Sequence, residues 1–178
     1  MARNIEIKAR VKDFATVRLN ASKIANSPLA EILQDDTFFK CARGRLKLRT
    51  FVDGTGILIF YQRQDAQGPK ESFYELSKTN EPDSLRATLS LAYGQIGRVR
   101  KHRTLFLVGR TRVHLDEVEG LGEFVELEVE MGEEETTKEG VREASDVMSM
   151  LGIHESELVE GAYLDLLGDA ASCERFVA

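Results

Sequence analysis

Five short stretches of this chain alternate charged with apolar residues, and each gathers its charges on one face. In Asn4-Ile5-Glu6-Ile7-Lys8-Ala9-Arg10-Val11 the shared face carries Glu6, Lys8 and Arg10. Arg45, Lys47 and Arg49 share another, with Leu46 and Leu48 opposite. Lys101 and Arg103 stand on one face with Val99, Arg112, His114 and Asp116 on one, and Glu126, Glu128 and Glu130 on the last. A period of two is the mark of a strand. Like charges two residues apart on a strand repel, modestly in water and strongly when desolvated. Such rows are stabilised if cations face carboxylates, or if an anionic ligand sits on the cations and a cation on the carboxylates. A metal-bound polyphosphate does both: its oxygens suit Arg and Lys, and its divalent metal suits carboxylate oxygens. One such strand is ordinarily a solvated sheet face. Five in one chain, each with an apolar reverse, predict charged faces turned inward and apolar faces covered by helices.

The elements that must position these rows can be read along the chain. A helix is predicted over 13–26, with Asp13 as N-cap and Phe14, Val17, Ala21 and Ile24 on one face; Pro28 lies beyond its end. Strands follow at 37–40 and 45–51, and Gly54-Thr55-Gly56 turns into a strand over 57–63. Gln67-Gly68-Pro69 reads as a turn before a strand at 72–77. Pro82 suits a first helical turn, and the helix it opens runs to Gly94 through Leu85, Leu89 and Ala92. Strands at 98–108 and 111–116 turn at Gly109-Arg110, and the turn 119–122 leads into a last strand at 124–131. Thr136 and Glu139 form a capping box for a helix through Val141, Ala144, Val147, Met148 and Leu151, ending at Gly152. A shorter helix covers about 155–167. Seven or eight mostly antiparallel strands and three or four helices make an α+β fold, one domain over 1–170 with a tail at 171–178.

With 178 residues the chain can bury a core as a single domain. Its net charge of −6 argues against a nucleic-acid binder. The charge is unevenly placed: 117–160 is acidic, while 43–49 and 98–112 are rich in Arg and Lys. Cys41 and Cys173 are far apart and give neither a zinc signature nor a disulfide framework. The charged start has no apolar segment of a signal peptide, and no run reaches transmembrane length, so the expected location is the cytoplasm with no membrane partner. His102 is expected opposite Lys101 and Arg103, His154 at a helix cap, and His114 is the one histidine among the charged rows. There is no Walker A, Gly-x-Gly-x-x-Gly or Gly-x-Ser-x-Gly motif.

Taken in order, these segments resemble the CYTH superfamily, the triphosphate tunnel metalloenzymes. The family's N-terminal Glu-x-Glu-x-Lys is matched by Glu6 and Lys8, with Asn4 at the place of the first Glu. Gly44-Arg45-Leu46-Lys47-Leu48-Arg49 is similar to its basic second-strand region, Arg63 to the basic residue after a Tyr-containing strand, and Val99-Arg100-Lys101-His102-Arg103 to its Val-x-Lys-x-Arg strand. The segment from Asp116 through Gly120-Leu121-Gly122 to Phe124-Val125-Glu126-Leu127-Glu128 resembles its Asp…Gly-Leu-Gly-x-Phe-x-Glu-x-Glu signature, and Tyr163-Leu164-Asp165-Leu166-Leu167 its C-terminal helix.

The resemblance implies an eight-stranded antiparallel β-barrel with flanking helices, a tunnel holding a triphosphate, and Mg²⁺ or Mn²⁺ on carboxylates. It implies metal ligands Glu6, Glu126 and Glu128. It implies substrate contacts at Lys8, Arg45, Lys47, Arg49, Arg63, Lys101, Arg103 and Arg112. Lys8 is the catalytic candidate, and Asp116 and Glu130 would hold basic residues in place. The branch is that labelled class IV adenylyl cyclase, so the expected partner is a small-molecule triphosphate, acted on by cyclisation of ATP to cyclic AMP and pyrophosphate or by phosphate release. The expected assembly is a monomer or homodimer. The alternative, supported by Asn4, is a non-catalytic nucleotide- or polyphosphate-binding protein.

Overall fold

A strand with one charged and one apolar face needs two environments, and closing the sheet on itself supplies them. The computed structural model describes residues 1–64, 66 and 68–174, with the backbone alone for 171–174. Its strands are β1 (Ala2–Ala9), β2 (Ala30–Phe39), β3 (Arg45–Thr50), β4 (Gly56–Arg63), β5 (Lys70–Thr79), β6 (Gln95–Val108), β7 (Thr111–Val118) and β8 (Gly122–Glu130). They form a closed antiparallel barrel in the order β1-β5-β4-β3-β2-β6-β7-β8. Closure leaves no unpaired sheet edge.

The apolar faces point outward, under helices. Ile5, Ile7, Phe106, Val113, Leu115, Val125, Leu127 and Val129 pack with Val17, Ala144, Val147 and Leu151 of α1 (Phe14–Ile24) and α3 (Thr137–Leu151). The helix α2 (Pro82–Tyr93) covers Phe39 and Leu48 through Leu89. The main hydrophobic core therefore lies outside the barrel, which leaves the interior free for charge. Gly140 lets α3 sit close: a Cβ there would come within 2.6 Å of Ile5 Cγ1. The ends of α3 follow the sequence reading, with the Thr136/Glu139 capping box formed and Gly152 left-handed at φ 77°.

Two elements differ from expectation. Strand β2 begins at Ala30, seven residues earlier than the predicted 37. Both its faces mix polar and apolar residues, so no clean alternation marks it. The predicted helix over 155–167 is split. Glu155–Glu157 is a 3₁₀ turn, 158–160 runs beside β1, and α4 spans Tyr163–Glu174. Gly161 breaks it with φ 78°, a backbone that residues with a Cβ rarely adopt. The tail set apart at 171–178 thus begins inside α4, and 175–178 lie outside the described residues, as does Gln67 of the turn expected at 67–69. Among the described residues no helix is long and apolar enough to cross a membrane.

Candidate active site

The barrel encloses a cavity of about 350 Å³. Among the described residues its lining carries seven cationic side chains, Lys8, Lys47, Arg49, Arg63, Lys101, Arg103 and Arg112, against five carboxylates, Glu6, Asp36, Glu126, Glu128 and Glu130. The excess of cations in a low-dielectric enclosure favours a polyanion. The wall is not uniform. Ile57 and Ile59 of β4 and Leu76 of β5 give it an apolar side, next to Tyr74.

Each group of cations is held by a carboxylate. Asp116, 0% exposed, accepts from Lys101 Nζ at 2.8 Å and from Arg103 Nε and Nη2 at 2.6 Å. On the other side of β6, Asp36 of β2 accepts from Lys47 Nζ at 2.8 Å and from Arg49 Nε and Nη2 at 2.8 Å. Arg103 also donates to Glu126 at 2.6 Å, and Lys8 lies 3.4 Å from Glu126. Arg112 bridges Glu128 at 3.1 Å and Glu130 at 2.9 Å, and Arg63 pairs with Glu6. Asp116 and Glu130 thus take the holding role expected of them.

These contacts set the charge states. Burial works to raise Asp36, but Arg49 and Lys47 outweigh it and keep the carboxyl far below its ordinary range. Glu126 behaves alike: burial opposes ionisation, and Lys101, Lys8 and Arg103 restore it. Burial lowers Lys8 and Lys47 from the usual lysine value, against the pull of Glu126 and Asp36. Burial and then Arg103 push Lys101 down to about 8. Burial and then Arg103 also take His114 down to about 3, so its imidazole is neutral.

One end of the tunnel is closed by the chain's own C-terminal segment. Val159 N–H donates to the Lys8 carbonyl at 2.9 Å, and the Gly161 carbonyl accepts from Lys8 Nζ and Arg63 Nη2, each at 2.9 Å. The ring of Tyr163 lies under Lys8 Nζ at 3.9 Å and packs edge-on against Phe124 at 5.1 Å, while its hydroxyl donates to Asp116 at 2.9 Å. Arg45 faces this plug, 2.8 Å from Asp165, and does not line the cavity.

The structure therefore gathers Lys8, Lys47, Arg49, Arg63, Lys101, Arg103, Arg112, Glu6, Glu126 and Glu128 around one cavity and sets Arg45 at its closed end. The carboxylates divide. Among the described residues one group of three metal-ligating side chains converges, with ligand atoms within 4.8 Å of one another: His114, Glu126 and Glu128. Glu6 is not in it. Two carboxylates and a neutral imidazole suit a divalent cation, so the residues present fit the metal that the sequence reading expects. Asn4 is buried in the wall, and among the described residues its Oδ1 lacks a hydrogen-bond partner, as do Gln34 Oε1 and His114 Nδ1.

Sequence reasoning missed Asp36, and it placed Tyr163 in the C-terminal motif without giving it a role in the site. Asp36 shares its strand face with Phe38, two residues on, which was the available signal. The motif marked Tyr163, but its contacts with Lys8 and Asp116 depend on the unpredicted break at Gly161.

A closed antiparallel barrel with charge inside and its main core outside defines a tunnel fold. The chain belongs to the CYTH family, whose domain matches residues 2–163. It is 23% identical over 170 residues to the adenylate cyclase CyaB of Aeromonas hydrophila, a span covering 91% of this chain and 87% of that protein. Among solved structures, a protein of Pyrococcus horikoshii OT3 superposes with a TM-score of 0.80 at 21% identity, covering 92% of this chain and 99% of that one. HpAC1 of Hippeastrum, described as having a dominant triphosphatase activity, superposes with a TM-score of 0.68 at 15% identity, over 95% of this chain and 96% of that one. At these identities the structures share the fold.

Proposed function

We propose that this protein is a metal-dependent enzyme acting on a nucleoside triphosphate held in the tunnel, with class IV adenylyl cyclase or triphosphatase chemistry. The observation that carries the reading is the inward convergence of cations on two carboxylate anchors, Asp36 and Asp116, which stand on strands either side of β6. The apolar side formed by Ile57, Ile59 and Leu76 favours a substrate with an organic group over inorganic triphosphate.

In this reading Lys47, Arg49, Lys101, Arg103 and Arg112 bind phosphate oxygens, with Arg63 beside Glu6 at the closed end. Their anchors fix them before substrate arrives, so little reorganisation is needed as charge develops. Lys8, fixed by Glu126, Gly161 and the face of Tyr163, orients the attacking oxygen. The C-terminal segment excludes water from that end. A divalent cation on Glu126 and Glu128, when bound, would neutralise phosphate charge and polarise the reacting phosphorus. If the ribose 3′-hydroxyl attacks the α-phosphorus, its proton passes to water, pyrophosphate leaves with the electron pair of the broken bond and cyclic AMP forms. If water attacks the terminal phosphorus, orthophosphate and the diphosphate result.

Product analysis tests this. Purified protein is incubated with ATP and separately with inorganic triphosphate, with Mg²⁺ or Mn²⁺, beside a Glu126→Gln control. Cyclic AMP with pyrophosphate, or orthophosphate alone, supports the enzyme and fixes its reaction. Absence of every product, with triphosphate still bound, overturns it in favour of a binding protein.

A further inference from the structure

We infer that His114 is a direct metal ligand, so that the cation site is a two-carboxylate, one-imidazole centre with Glu126 and Glu128, selective for Mn²⁺ and similar transition-metal dications over Mg²⁺. The inference rests on the reading that the tunnel binds a divalent cation, and it names that cation's chemistry.

Three observations carry it. The ligand atoms of His114, Glu126 and Glu128 already lie within 4.8 Å of one another. His114 is 3% exposed, yet among the described residues its Nδ1 has no hydrogen-bond partner, and Glu128 Oε1 at 3.7 Å is beyond hydrogen-bonding range. A buried imidazole nitrogen left unmatched costs stability unless a ligand occupies it. The three side chains also come from two paired strands. In the β7–β8 register His114 stands opposite Glu126 and Arg112 opposite Glu128. Ligands on paired strands are held more firmly than ligands on loops.

Glu6 does not compete for this place. It stands opposite Glu128 in the β1–β8 register, but among the described residues its carboxylate is not one of the three converging ligand groups. A nitrogen donor beside two carboxylates suits Mn²⁺, Co²⁺ or Zn²⁺. Mg²⁺ prefers oxygen ligands throughout and gives up water reluctantly.

The experiment is Mn²⁺ titration of the full chain followed by electron paramagnetic resonance, with pulsed detection of ¹⁴N coupling to the bound ion. The wild type is expected to show one tightly bound Mn²⁺ with ¹⁴N coupling, and at least tenfold preference over Mg²⁺ in competition. His114→Gln is expected to lose the ¹⁴N coupling and to bind Mn²⁺ at least tenfold more weakly, with Mg²⁺ affinity changed less than threefold. Bound Mn²⁺ without ¹⁴N coupling in the wild type overturns the inference and needs no variant to fold; turnover persisting in that sample leaves the proposed function standing. No Mn²⁺ bound at millimolar concentration overturns both.

Discussion

Asp36 and Arg49 face each other in the β2–β3 register and are joined inside the barrel by two hydrogen bonds of 2.8 Å. Lys47 shares the same carboxylate. Removing the charge of Asp36 would leave two buried cations uncompensated. Asp36→Asn should therefore destabilise the fold by about 3–5 kcal/mol, measured by denaturant unfolding near neutral pH.

The same pair fixes a pH dependence. The folded-state pKa of Asp36 lies below its ordinary 3.8, held there by Arg49 and Lys47 against burial. The unfolded chain thus takes up the proton first as pH falls. The stabilisation is complete above 3.8 and drains away below it, by about 1.4 kcal/mol per pH unit. The stability gap between wild type and Asp36→Asn should stay constant from neutral pH to about 5 and narrow below 3.8. A gap unchanged at pH 3 would show that the charge of Asp36 is not what stabilises the fold.

Five strands were legible in the sequence because their alternation is strict: Leu46 and Leu48 against Arg45, Lys47 and Arg49 leaves one register open. Their inward charge was legible too, since the apolar reverse faces had to be covered. The first seven residues of strand β2 were hidden because Ile32, Gln34, Asp36 and Phe38 point in while Leu33 and Thr37 point out, so neither face is uniform. The plug was hidden because 158–161 has no period; its position comes from long-range bonds to Lys8 and Arg63. The place of Glu6 outside the group formed by His114, Glu126 and Glu128 was invisible for a similar reason. It depends on which cation each carboxylate meets across the barrel.

Lys47 and Arg45 carry the same charge on one strand face but lie in different surroundings. Lys47 lines the cavity, while Arg45 meets Asp165 at the plug. Lys47→Ala should weaken binding of a non-hydrolysable ATP analogue about 10- to 100-fold, the loss of one hydrogen bond to a charged group. Arg45→Ala should weaken it about threefold or less. Calorimetric titration of both variants checks this, and equal losses would place Arg45 on the substrate.

Tyr163 joins the plug to the tunnel by its hydroxyl on Asp116 and by its ring under Lys8. Tyr163→Phe keeps the ring, and Asp116 keeps Lys101 and Arg103, so the cost should be about 1 kcal/mol with turnover nearly unchanged. Tyr163→Ala opens the closed end, costs about 3–5 kcal/mol, and should raise amide exchange across 158–165. Equal loss of turnover in the two variants would instead assign the hydroxyl a part in the chemistry.

The claim that matters most is that the tunnel binds a triphosphate and a divalent cation together. The direct measurement is calorimetric titration of a non-hydrolysable ATP analogue into wild type, Lys47→Ala and Glu126→Gln, each with and without Mn²⁺. The account predicts one site, weakened by Lys47→Ala in both conditions, and tightened by Mn²⁺ in wild type but not in Glu126→Gln. Binding indifferent to both substitutions, or absent at millimolar analogue, would contradict it.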